Sequence, residues 1–269
     1  MRYYQRGWLF AVTFFFASMS IAADNVIVRY QQTNDIKLQP VAKKLQLESS
    51  IQDAIILMNE EFTFLQPLTI VFGANDGPLY DPARNDILIP YTFLDEVEQR
   101  FNAVNYVGYN QDNVNPVNLD QAVMDVLIHT LFHELAHALI ATYELPVVGR
   151  EEDAADNLAA VLSIEYFENG AEIAISAADL FYLEGDEITE FEDADFWDEH
   201  SLDLQRYYAT LCYVYGSDDT QYAYLLEETG FSDERGELCI GDYERMKNNW
   251  LTLLDAYMSS EVDATTPVN

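Results

Sequence analysis

The residues in this chain whose types and spacing can do chemistry are His133, Glu134 and His137. They stand in the order HExxH within residues 126–156, VLIHTLFHELAHALIATYELPVVGREEDAAD. On a helix, positions i and i+4 lie about one turn apart on the same face, so both rings can aim a nitrogen at a single ion. Zinc suits such a pair, and Glu134, next to the first ring, is placed to hold an activated water and accept its proton. Farther on, Glu152 and Asp156 are again i and i+4. Glu152 suits the third metal ligand, and Asp156 suits a supporting role, accepting the other ring N–H of a liganding histidine and fixing its tautomer. Acids at a helix start also complement the helix dipole without any metal. Their distance behind HExxH favours the ligand reading, with Glu151 and Asp153 as alternatives.

The motif needs a helix on each side of a turn. Apolar residues surround it from about Leu119 to Tyr143, and Pro146 enforces a break soon afterwards. A second helix is expected over 150–167. From His137 to the end of the first helix the chain climbs about 9 Å, and residues 145–150 span about 20 Å when extended, so Glu152 can return to the ion. Ahead of the motif, residues 24–30 suggest a strand, and 40–62 carry apolar residues at helical intervals, predicting one long amphipathic helix. LTIVF at 68–72 is β-branched and bounded by Pro67 and Gly73, as a buried strand would be. A turn-rich stretch then leads into a strand at Ile87, Leu88 and Ile89. As the edge of the sheet, that strand would offer free backbone groups to an extended peptide. A helix follows over 92–101, capped by Thr92 with Asp95 three residues on, and then an Asn-, Tyr- and Gly-rich loop at 102–118 that can overhang the site. Further helices are expected over 171–183, 202–215 and 243–258, the last with Met246, Trp250, Leu254 and Tyr257 on one stripe. The fold class is therefore α+β, a small mixed sheet packed on the motif helix and followed by a mainly helical part.

The chain has 269 residues, 49% of them hydrophobic, enough for one domain with a sizeable core. The division expected is a signal peptide at 1–22, a single domain over 23–258 and a disordered tail over 259–269. Arg2 and Arg6 precede the apolar run LFAVTFFFASMSI at 9–21, and small residues sit where a signal peptidase cuts, after Ala22. The run is short for a bilayer span of about 20 residues, and nothing after it reads as a second span, so no membrane anchor is expected after cleavage. The product would be exported, to a bacterial periplasm or beyond. In that compartment the only two cysteines, Cys212 and Cys239, are expected to pair across a Gly- and Asp-rich loop.

Net charge is −34, which repels nucleic acid and anionic membrane surfaces. The acids are densest in EGDEITEFEDADFWDE at 184–199. Close carboxylates suit calcium, but the run lacks the spacing of a calcium loop, and its interleaved Ile188, Phe191, Phe196 and Trp197 suit a structured, solvated surface segment.

HELAHAL followed by REEDAAD resembles the gluzincin-type zinc metallopeptidases, and most closely a bacterial metallopeptidase family with HExxH and a downstream ExxxD. The chain also shares with that family Tyr80, Asp81 and Pro82 ahead of the motif and Asp198, Glu199, His200, Gln205, Arg206 and Cys212 after it. The likeness covers most of the mature chain, leaving out 23–35 and the tail after Met258. It implies zinc on His133, His137 and Glu152, Glu134 as the catalytic carboxylate, a peptide or protein substrate, and a substrate-binding edge strand at the place of Ile87 to Ile89.

The activity expected is peptide-bond hydrolysis by a zinc-activated water, with Glu134 as general base and then as acid toward the leaving amine. The oxyanion needs a donor besides the metal, and His200, the only histidine outside the motif helix, is the candidate, with Arg206, Tyr207 and Tyr208 as alternatives. His129, one turn before His133, is expected to pack rather than ligate. A contrasting reading is an envelope protein that binds metal or an extended peptide without cleaving it. Glu134 favours the enzyme, since metal binding alone does not require it.

Overall fold

A computed structural model of the chain describes residues 25–106 and 118–258. The expected leader at 1–22, the tail at 259–269 and most of the loop at 102–118 lie outside the described residues. The chain runs β1 Val26–Tyr30, α1 Gln39–Leu47, α2 Ser49–Glu61, β2 Leu68–Phe72, β3 Leu79–Asp81, β4 Asp86–Ile89 and α3 Tyr91–Ala103. It continues with α4 Leu119–Tyr143, α5 Glu151–Tyr166, α6 Gly170–Glu187, α7 Asp193–Trp197, α8 Asp203–Ser217, α9 Tyr224–Thr229 and α10 Asp233–Leu254. This is the expected α+β architecture of a small mixed sheet followed by helices.

The sheet order is β1-β2-β4-β3, with β1, β2 and β4 parallel and β3 antiparallel to β4. Every residue of β2 is buried, as suits a strand that is apolar except for Thr69 and has a neighbour on either side. Pairing sets Ile70 opposite Ile87, and Ile87 in turn opposite Tyr80. The expectation that Ile87 to Ile89 form the sheet edge is therefore corrected. They lie inside the sheet, and the edge facing the site is β3.

Two helix expectations are also corrected. The amphipathic stretch at 40–62 is two helices, because Glu48 is extended (φ −75°, ψ 121°). Leu45, Ile51, Ala54 and Met58 enter one core from both segments, so the apolar spacing continues across the break. The helix expected from Thr92 starts at Tyr91 after Pro90, and no side chain caps it. Pro90 already has the φ and the missing N–H suited to a helix start, so a Thr92 cap is not needed.

α4 is apolar on all sides. By length and composition it could cross a membrane, but 89% of that window is buried inside the fold, as for the central helix of a packed core. α2, α3, α5 and α6 surround it. Near its start, Asp125 accepts from Gln121 (2.8 Å) and Ser176 (3.4 Å), and Asp179 on α6 accepts from the Tyr106 hydroxyl (2.6 Å). Burial pushes the Asp179 carboxyl up to about 7, a rise that the Tyr106 hydrogen bond opposes and Glu228 reinforces. Between roughly pH 4 and 7 the unfolded carboxyl loses its proton while the folded one keeps it, so this group's contribution to stability falls as pH rises. Asp179→Asn, which can still accept from Tyr106, is expected to gain stability over wild type across that range. The gain is on the order of 3 kcal/mol by pH 7 and negligible near pH 4. Chemical denaturation of both proteins at several pH values checks this, and a difference that does not vary with pH contradicts it.

Cys212 on α8 and Cys239 on α10 form the expected disulfide. It joins two helices instead of closing an irregular loop. The enclosed segment contains α9, and α10 begins at Asp233, well before the expected 243. Ser232 caps it, its hydroxyl accepting from the Arg235 amide. The helices touch so closely that a Cβ on Gly216 would fall 2.3 Å from the Cys239 carbonyl oxygen. In the chain-entropy account, a bridge enclosing this length of chain stabilises by about 3.5 kcal/mol.

Candidate metal centre

α4 carries His133, Glu134 and His137, the first two buried and His137 partly so. The helix ends at Tyr143, and the next residue, Glu144, takes the left-handed conformation (φ 49°, ψ 45°). Both ends of α4 are those expected, with Pro146 following shortly after. Gly149 (φ 131°) completes the return, and α5 opens with Glu151, Glu152 and Asp153 in its first turn.

The return brings one Glu152 oxygen, Oε2, to 3.1 Å from His133 Nε2 and 3.3 Å from His137 Nε2, while the two Nε2 atoms are 3.2 Å apart. Three lone-pair donors thus form a nearly equilateral triangle. Ligands about 2.0–2.1 Å from a tetrahedral zinc lie about 3.3–3.4 Å from one another, so the donor set fits such an ion in type and spacing. Among the described residues this trio is also the group recognised as able to hold a metal.

Each ring is oriented from its far side. His133 Nδ1 lies 2.8 Å from Asp156 Oδ1, and His137 Nδ1 lies 2.9 Å from Glu151 Oε1. Glu151, an alternative ligand on sequence grounds, thus sits behind His137 instead. Asp156 in turn receives Arg206 from α8, with Nε to Oδ2 at 2.8 Å and Nη2 to Oδ1 at 3.0 Å.

The charges are distributed accordingly. Burial alone would raise the Asp156 carboxyl, but the Arg206 guanidinium and the His133 hydrogen bond hold it far below the usual carboxylate range. Burial works likewise against Glu152, and hydrogen bonds from His133, His137 and His200 overcome it. Both stay ionised, so His133 Nδ1 is the donor toward Asp156; in the metal-free site its Nε2 faces Glu152 with a proton between them, and the lone pair that a metal needs is freed when that proton leaves. Glu134 differs. Burial raises its carboxyl, and the partial opposition of His133 and His137 leaves it above the ordinary value, closer to the working range of a general base near neutrality.

A cleft of about 300 Å³ opens over these groups, lined among others by Leu79, Tyr80, His133, Glu134, Glu152 and His200. β3 forms one wall, and the Tyr80 backbone lies where its N–H partly opposes the rise of the Glu134 carboxyl. Sequence reasoning missed this strand because LYD is only three residues long inside a turn-rich stretch.

His200 reaches the cleft from the segment before α8. Its Nε2 lies 3.0 Å from Glu152 Oε2, its ring is nearly parallel to that of His133, and Arg150 holds its backbone carbonyl at 2.5 Å. The expected alternatives are not found there. Arg206 is spent on Asp156, and Tyr207 and Tyr208 are not among the lining residues. His129 packs edge-on against Phe181, and burial lowers it to about 4, so it is neutral and apart from the donors. Asp153 faces a different cavity, beside Gln205 and Tyr213.

Residues 30–254 match the family described as "Putative metallopeptidase". No curated protein and no solved structure matched the chain.

Proposed function

The chain belongs to this metallopeptidase family, and from that premise we propose that it is an exported zinc-dependent peptidase of gluzincin type, with His133, His137 and Glu152 as the metal ligands. The observation that carries the reading is the convergence of these donors in one cleft with a buried, raised carboxylate and the edge strand of the sheet along its wall. Zinc bound there supplies Lewis acidity toward a water and the scissile carbonyl.

The chain's own residues do the rest. Glu134 takes the proton of the attacking water and returns it to the leaving amine. Asp156 and Glu151 hold the two rings with their Nε2 atoms turned toward the ion. His200, on the rim of the cleft beside Glu152, donates to the oxygen on which charge develops. The edge of β3 pairs with the substrate backbone, which explains how a peptide or protein is held with little demand on its side chains. The leader-like residues 1–22 and the disulfide support export to an oxidising compartment such as a bacterial periplasm.

The test is turnover of casein and of a mixed peptide library by the purified protein. Cleavage is expected, lost on chelation and restored by stoichiometric zinc. A zinc-loaded protein that cleaves nothing would support the binding-only reading instead.

A further inference from the structure

Arg206 lies outside the cleft, yet its contacts tie it to the centre. Its guanidinium forks onto both oxygens of Asp156, stacks 3.8 Å from the Phe181 ring centroid and lies 3.6 Å from Asp203. The Asp156 oxygen that accepts Nη2 is the same one that accepts His133 Nδ1. Three helices thus contribute to one chain of contacts, from α8 through α5 to α4, and α8 is the helix bridged to α10 by the disulfide.

A carboxylate has one rotation about its last bond that would swing its oxygens away from His133. A single partner would leave that rotation open. Two parallel N–H donors on a stacked, planar group close it, which a lysine ammonium cannot do. The scarcity of cations makes the placement more pointed, since Lys and Arg together number 13 against 47 acids, and this one is enclosed instead of solvated.

We propose that Arg206 is a positioning residue for the metal centre: its fork fixes Asp156 in the one orientation that keeps the proton of His133 on Nδ1 and its Nε2 directed at the ion. The inference rests on the proposed function for the metal, but the ring geometry can be read without it. It assigns Arg206 no contact with substrate and no part in stabilising an oxyanion.

The test uses Arg206→Lys and Arg206→Ala in the full mature protein, with circular dichroism to confirm folding. One readout is zinc affinity by competition with a chelator. The other is solvent exchange of the His133 Nδ1 proton, followed by NMR in the metal-free protein. Wild type is expected to show a slowly exchanging Nδ1 proton. Both variants lose that protection, and zinc binds about 10–100-fold more weakly, as for other outer partners of metal ligands, with Lys the milder change. Should Ala leave Asp156 buried without a partner and the protein unfolded, the Lys variant alone decides. A folded Lys variant with unchanged zinc affinity and unchanged exchange overturns the proposal. If wild type itself binds no zinc, the zinc reading fails, and the exchange measurement still decides the role of Arg206.

Discussion

In Glu134→Gln protein, peptide turnover is expected to fall by about 10²–10⁴-fold, the contribution of one positioned acid–base group, with zinc content unchanged. Glutamine preserves the size and shape of the side chain, so the packing of this buried position is kept. What it cannot do is carry a proton from water to the leaving amine. Glu134 is absent from the donor triangle, so no metal ligand is lost. Turnover and bound metal measured on the same sample check both halves. If turnover persists at the wild-type level, Glu134 is not the base. If zinc is lost along with activity, Glu134 acts on metal binding instead of on the proton.

The second large effect separates two adjacent acids. Glu152→Ala removes an oxygen that lies 3.1 and 3.3 Å from two ring nitrogens, whereas Glu151→Ala removes only the partner behind His137. Loss of Glu151 is expected to weaken zinc by about 10–100-fold. Loss of Glu152 opens the three-donor site and should weaken it well beyond that range. Chelator competition on both variants checks the order. Equal effects, or a larger effect at Glu151, would move the third ligand by one residue.

Much of the centre was legible in the sequence because helical spacing is itself a distance. His133 with His137, and Glu152 with Asp156, are one turn apart whatever the rest of the chain does, and the span from His137 to Glu152 bounded where the second helix could return. The limits of α4 were legible for a related reason, since a helix apolar on every side has nowhere to lie but the core. The parts that escaped are set by contacts between segments far apart in sequence. Nothing local in Leu79, Tyr80 and Asp81 says that this short run outflanks Ile87 to Ile89 and becomes the edge. The break at Glu48 was hidden by apolar spacing that continues across it. Pairing of Arg206 with Asp156 spans 50 positions, and its only local hint was an arginine in a chain so poor in cations.

The most direct test of the central claim is the metal content of the purified protein, measured by mass spectrometry after equilibration with equimolar zinc, calcium and magnesium. The account predicts one zinc per chain, abolished in His137→Ala with the fold retained. A protein that retains no zinc, or that retains it unchanged in His137→Ala, would contradict the assignment of this centre.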